Sequence, residues 1–133
     1  MENVNVNNKI ELEFSFNTSP SILFNRLSTP SGLSEWFADD VNLNGTIFTF
    51  IWDNSESQAE LLGIKENKYI RFRWLEDGEP VNEETFFEFK IHPNELANGV
   101  ALIVTEVIAD NDTDDAESLW NYQVGELKRN LGV

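Results

Sequence analysis

Three places in the sequence hold side chains that could do chemistry. Glu106 lies in the stretch Val100–Ile108, where it shares the alternate-residue phase of Leu102 and Val104. A carboxyl turned inward with them loses hydration, which raises its pKa and lets it serve as an acid, a base or a ligand anchor. If the strand end splays to solvent, the same residue is an ordinary surface charge, as most glutamates are. His92 is the only histidine and stands beside Pro93 at a turn. One histidine in such a place builds neither a Ser-His-Asp relay nor a histidine metal site, and a surface position is expected. Asp110-Asn111-Asp112-Thr113-Asp114 alternates oxygen ligands as a calcium loop does. Its sixth position, however, is Asp115 instead of Gly, and its twelfth is Asn121 instead of Glu. Acidic residues leading into a helix explain the run, so no metal is expected. The sequence carries no nucleophile elbow, P-loop or dinucleotide fingerprint. Catalysis is therefore not the leading expectation, and no cofactor is implied.

The composition narrows the partners. Twenty-four acidic residues against nine basic ones give a formal charge of −15. Such a surface repels a phosphate backbone and anionic lipid headgroups, which argues against nucleic acid and against membrane attachment. Acidity of this kind mainly serves solubility. Ten Phe and four Trp raise the aromatic content to 12%, enough for a bulky core or an aromatic-lined cavity. Cysteine is absent, which removes disulfides and thiolate sites. The first residues show no signal-peptide pattern, and no apolar run reaches spanning length. A cytoplasmic protein of one domain, residues 1–133, is expected, with residues 1–8 a loose lead-in.

The elements that must position these side chains follow from periodicity. Ile10, Leu12, Phe14 and Phe16 alternate with polar residues and read as a half-buried strand. Ser19-Pro20 and Thr29-Pro30 each set a capping residue before a proline, opening two short helices. The first carries Ile22, Leu23, Phe24 and Leu27; the second carries Leu33, Trp36 and Phe37. Asn44-Gly45 marks a hairpin between strands at 41–43 and 46–52. Further strands are expected at 58–64, 69–74 and 84–91, and at Val100–Ile108. Arg71 and Arg73 fall on a polar phase, paired with Glu84 or Glu88 as exposed ion pairs. The tail from Thr113 to Leu131 places Ala116, Trp120, Val124, Leu127 and Leu131 on one helical face. Acids open this helix and Lys128 and Arg129 close it, which complements its dipole. Thr113 or Asp112 is the expected N-cap, and Gly132 falls at a left-handed C-cap position. The fold class is α+β: an antiparallel sheet of about seven strands, with one long helix on its face.

The run from Phe24 to Phe37, with Thr29-Pro30 and Leu33 before Trp36-Phe37, resembles the START-like (Bet v-type helix-grip, SRPBCC) superfamily. The resembled branch is the one homologous to the activator of the ninety-kilodalton heat-shock-protein ATPase (Aha-type). Leu43-Asn44-Gly45 followed by Phe48 and Phe50 is similar to its glycine turn and aromatic strand, with Asn44 in place of the first glycine. Phe72-Arg73-Trp74 and the spacing Trp120, Val124, Leu127, Leu131 resemble further parts of that pattern. The resemblance implies a helix-grip fold, a curved sheet around the long helix, whose two short helices close one end of a cavity between them. The residue phases suggest its lining: Phe48, Phe50, Trp52, Phe72, Trp74, Phe87, Phe89, Leu102, Val104 and Glu106 from the sheet, Trp36 and Phe37 from the lid, and Trp120 and Val124 from the helix. The alternative is that these rings fill the core. The leading expectation is a non-catalytic domain that holds a hydrophobic small molecule or lipid, as a monomer or weak homodimer. A protein-interaction module is the second, and a cyclase-like or hydrolase-like enzyme using Glu106 is the third.

Overall fold

A computed structural model describes residues 8–94, 99–108 and 113–133. The chain runs β1 (Asn8–Phe16), α1 (Pro20–Ser28), α2 (Pro30–Leu33), β2 (Asp40–Asn44), β3 (Ile47–Trp52), β4 (Ser55–Lys65), β5 (Tyr69–Glu76), β6 (Glu79–Pro80), β7 (Phe86–Pro93), β8 (Val100–Ile108) and α3 (Thr113–Leu131). Strands β1, β8, β7, β5, β4, β3 and β2 form one antiparallel sheet in that order, and β6 pairs with β5 alone. The expected α+β class holds, with β6 as a two-residue addition. Most of the expected lead-in, residues 1–7, lies outside the described residues, while Asn8 already belongs to β1 and faces Ile108.

Each strand buries one phase. Phe48 and Phe50 of β3, Ile70 and Phe72 of β5, Phe87, Phe89 and Ile91 of β7, and Leu102 and Val104 of β8 all point to the helix-covered face and are buried. Removing this much apolar surface from water is the main force that holds the sheet to its helices, at about 25 cal/mol per Å². Helix α3 lays Trp120, Val124 and Leu127 into that face, with Ala116 and Leu131 half-buried at its ends. Gly132, at φ 72°, turns the chain out, and its amide donates to the Lys128 carbonyl at 2.9 Å. The expected N-cap Asp112 lies outside the described residues.

Four local features differ from the sequence reading. Helix α2 is a single turn, because Thr29 caps it through Gly32 N–H (2.9 Å) and the amides of Trp36 and Phe37 reach back to Leu33 as turns. Trp36 and Phe37 thus follow the helix and do not belong to it. The first hairpin turns on Gly45-Thr46, one residue later than expected, since Asn44 pairs with Ile47 and Gly45 holds φ 65°. Strand β4 is longer than expected and carries a bulge between Leu61 and Gly63, a device that bends a sheet. The strand expected at 84–91 runs from Phe86 to Pro93, so exposed His92 lies in β7.

Candidate functional site

The seam between α3 and the open end of the sheet holds a cleft of about 330 Å³. Helix α3 supplies Asp115, Ala116, Leu119, Trp120 and Gln123 along one flank. These residues recur at spacings of three and four, so they line the edge of the buried stripe. From the sheet come Trp52 at the end of β3, Trp74 in β5, and Glu106 and Ile108 at the end of β8. Phe37, delivered by the turn after α2, completes the wall.

Phe37 is the point where the three layers meet. Its backbone carbonyl accepts hydrogen bonds from Trp52 Nε1 (2.9 Å) and Gln123 Nε2 (3.4 Å), one from the sheet and one from the helix. Its ring stacks on Trp120 (centroids 6.0 Å, 17°) and meets Phe50 (4.9 Å) and Trp52 (5.8 Å) edge-on. Such aromatic pairs add about 0.5–1.5 kcal/mol each beyond area burial. The turn that carries Phe37 is itself fastened, since Trp36 Nε1 donates to the Arg26 carbonyl at 2.8 Å. Asn130 of α3 ties the same region together, accepting from Arg26 Nε (2.8 Å) and donating to Glu35 (3.0 Å). A wall held at this many points is preorganised.

Glu106 faces the cleft. Its Oε1 accepts from Trp120 Nε1 at 2.8 Å, so the polar edge of the largest helix side chain is satisfied by the strand beneath it. The residue is half-buried, neither sealed in the core nor splayed to solvent. Among the described residues, Glu106 and Asp115 are the carboxylates of the cleft, and no Lys, Arg or His lines it.

Of the fourteen residues that the sequence suggested, Phe37, Trp52, Trp74, Glu106 and Trp120 come together around this cleft. The other nine lie elsewhere. Phe48, Phe50, Phe72, Phe87, Phe89, Leu102, Val104 and Val124 are fully buried and pack within the core, where the Phe72 and Phe87 rings stack at 4.9 Å. Trp36 is buried beside Phe89 (5.7 Å) and borders an adjoining surface depression that shares Phe37, Trp52, Leu119 and Gln123 with the cleft. The inner rings thus occupy the space between sheet and helix, and free volume remains at one end. Sequence reasoning missed Ile108, Asp115, Leu119 and Gln123 as lining residues, and Ala116 entered only as part of the helix stripe. The available signal was Leu119, an apolar residue off the stripe and 56% exposed.

Away from the cleft, the sheet face opposite the buried rings holds Glu88 at 5% exposure, which the strand alternation had placed at the surface. Arg71 covers it: the guanidinium bonds its carboxylate at 2.9 Å and lies 4.1 Å above the Phe86 ring. Arg73 has no glutamate partner among the described residues, and its Nε donates to the Thr85 carbonyl (2.9 Å). The calcium-like run 110–112 falls outside the described residues. No helix among the described residues is long and apolar enough to cross a membrane.

The sequence profile of the START-like superfamily domain matches residues 4–133. No curated protein sequence matches the chain. Among solved structures, a Bacteroides fragilis protein determined by NMR is 39% identical, with 91% of this chain and 88% of that one covered at a TM-score of 0.60. The Aha1 dimer from Colwellia psychrerythraea superposes at a TM-score of 0.77 with 18% identity, covering 90% and 92% of the two chains. The AHSA1 protein from Silicibacter pomeroyi gives 0.69 with 19% identity over 93% and 97%. The last two likenesses are of fold.

Proposed function

The chain belongs to the START-like superfamily, and from that premise and the walls of the cleft we propose that it binds a small hydrophobic molecule without transforming it. The observation that carries this reading is the composition of the seam cleft. Trp52, Trp74, Trp120, Phe37, Leu119 and Ile108 surround about 330 Å³ with few polar groups among them. Ligand sites are generally apolar hollows with a few placed polar groups, and this volume is at their small end. A single-ring compound or one short lipid tail suits it better than a whole lipid. The proposed setting is the cytoplasm, which the cysteine-free composition supports.

Catalysis has little support in the cleft. Among the described residues its titratable side chains are Glu106 and Asp115, with no nucleophile and base placed as a pair. A role as a protein-interaction module of the chaperone-ATPase-activator type has one observation in its favour. Leu119 and Tyr122 stand 56% and 66% exposed side by side on α3. A Tyr122→Glu substitution that left every partner and the oligomeric state unchanged would count against it.

The cleft reading is tested by thermal shift with a library of small apolar compounds on wild type and Ala116→Trp. Ala116 is half-buried at the cleft wall, so an indole there fills the space. A compound at a hundred times its Kd stabilises by about 2.7 kcal/mol. At least one compound should raise the Tm of the wild type and leave the plugged variant unmoved. Equal shifts in both proteins, or none in the wild type, would overturn the reading.

A further inference from the structure

We infer that the outer face of the sheet carries a separate binding site, for a small molecule bearing an anionic oxygen group, a carboxylate or a phosphate monoester. The site lies on the side of the sheet away from the buried rings and is independent of the seam cleft.

A hollow of about 440 Å³ opens there, lined by Leu62, Gly63, Tyr69, Arg71, Glu88 and Lys90. All six belong to the described residues, as do strands β4, β5, β7 and β8 around them. Strand register explains why they meet. Gly63 pairs with Arg71, Arg71 with Glu88, and Tyr69 with Lys90, so these positions share the outer face. Gly63 makes the room. Its φ is not positive, and a Cβ on it would come no nearer than 3.5 Å to its surroundings, at the Tyr69 hydroxyl. Neither backbone nor packing therefore demands a glycine, although a glycine inside a strand weakens it. Its bare backbone leaves a floor where a ligand can approach the sheet closely.

Three donors border this floor. The Arg71 guanidinium gives Nε and Nη2 to Glu88 Oε2 (3.0 and 2.9 Å) and rests 4.1 Å above the Phe86 ring. Those contacts fix it in place and leave Nη1 for a ligand. Lys90 Nζ stands 3.9 Å from Glu88 Oε1, an ion pair too long for a hydrogen bond. The Tyr69 hydroxyl has no hydrogen-bond partner among the described residues. Two cations against one carboxylate leave positive charge in the hollow whichever protonation state Glu88 adopts. Lys65, opposite Tyr69 in register, adds to it, while Glu60 is matched by Arg73. The chain's total of −15 acts mostly from farther away, and charges beyond about 8 Å are largely screened at physiological salt. A cationic ligand would meet Arg71 and Lys90, and a neutral one would gain little from them. An oxyanion takes Arg71 Nη1, Lys90 Nζ and the Tyr69 hydroxyl together, and bonds between charged partners are the stronger kind. Leu62, 37% exposed, offers apolar surface to the body of the ligand.

The test uses the full chain and three probes of similar shape: benzoate, phenyl phosphate and neutral benzamide. The backbone amide NMR signals of Gly63, Tyr69 and Lys90 are followed in the wild type, in Lys90→Gln and in Gly63→Val. Both variants alter outward-facing strand positions, and valine suits a strand. An amide spectrum otherwise unchanged reports that the fold is intact. At least one anion should bind about tenfold tighter than benzamide, and which one does so separates a carboxylate ligand from a phosphate. Lys90→Gln should weaken that anion about tenfold, the low end of what a hydrogen bond to a charged group supplies. Gly63→Val fills the floor and should abolish the saturable shift. Equal binding of benzamide, or no saturable shift with either anion, would overturn the inference. Anion binding undiminished in Lys90→Gln or in Gly63→Val would overturn it too, since the ions would then be held by the surface at large. Binding at the seam cleft is read separately, from its tryptophan indole signals, so the two sites stand or fall independently.

Discussion

Trp120 should be the most costly single residue to truncate on α3, and the structure allows the cost to be apportioned. The side chain is 4% exposed and touches Phe37, Phe87 and Phe89 at centroid distances of 6.0, 6.0 and 5.6 Å. Its Nε1 also donates to Glu106. Replacing a buried Trp by Ala costs about 3–5 kcal/mol from lost transfer energy and the cavity left behind. For a chain of this length that corresponds to a Tm lower by roughly 10–20 °C. Trp120→Phe separates the terms. It keeps a ring against Phe37 and removes the donor, leaving Glu106 without that bond, so about 1.5–3 kcal/mol is expected from the hydrogen bond to a charged group. Glu106→Gln keeps an acceptor and should cost less than either. Combining Trp120→Phe with Glu106→Gln should therefore be less than additive, because both act on one bond. Urea unfolding followed by circular dichroism gives all four values. A loss below about 1.5 kcal/mol for Trp120→Ala, well short of the usual penalty for a buried Trp, would refute the claim that this side chain seals the helix to the sheet.

Three further substitutions probe the scaffold around the cleft. Gly32→Ala would place a Cβ 2.1 Å from the Asn25 carbonyl oxygen and 2.8 Å from Arg26 Cα, both backbone atoms. The α1–α2 junction must then shift, and denaturation should show a loss of roughly 2 kcal/mol or more. Thr29→Ala removes the acceptor for Gly32 N–H (2.9 Å) and should cost about 1 kcal/mol by the same assay, as lost N-caps do. Arg71→Leu strips the 2.9 Å partner from buried Glu88 and leaves, among the described residues, only Lys90 at 3.9 Å. A loss of about 1–3 kcal/mol is expected, and adding Glu88→Leu should recover part of it, since an apolar pair needs no hydrogen bonds. Recovery is read from the double variant's urea midpoint.

The fold was legible wherever a stretch obeyed one clear period. Helix α3 occupies the stretch from Thr113 to Leu131 and buries the stripe its spacing announced, because nothing competes with a 3.6-residue repeat over nineteen residues. Strand β8 likewise starts and stops at the expected residues. The errors sit where tertiary contacts decide. Phe37 reads as part of a helix, yet its position is set by hydrogen bonds from Trp52 and Gln123, residues 15 and 86 positions away. Glu88 has an exposed residue's phase, but Arg71 folds over it from the neighbouring strand. Alternation told which rings point inward and could not tell which meet another ring and which border empty space. That depends on side-chain volumes from four strands at once. Phe72 and Trp74 share a phase, but Phe72 lies in the packed interior and Trp74 reaches the cleft.

The four tryptophans allow the ligand-binding claim to be tested with an internal control. Trp52, Trp74 and Trp120 line the cleft, whereas Trp36 lies outside it with its Nε1 bonded to the Arg26 carbonyl. Their four indole N–H signals can be followed in one NMR spectrum while a compound found by thermal shift is titrated in. Occupation of the cleft predicts that the signals of Trp52, Trp74 and Trp120 move along one saturation curve while that of Trp36 stays in place. Movement of Trp36 alone, or no movement of any indole signal at saturation, would contradict the assignment of the seam cleft as the binding site.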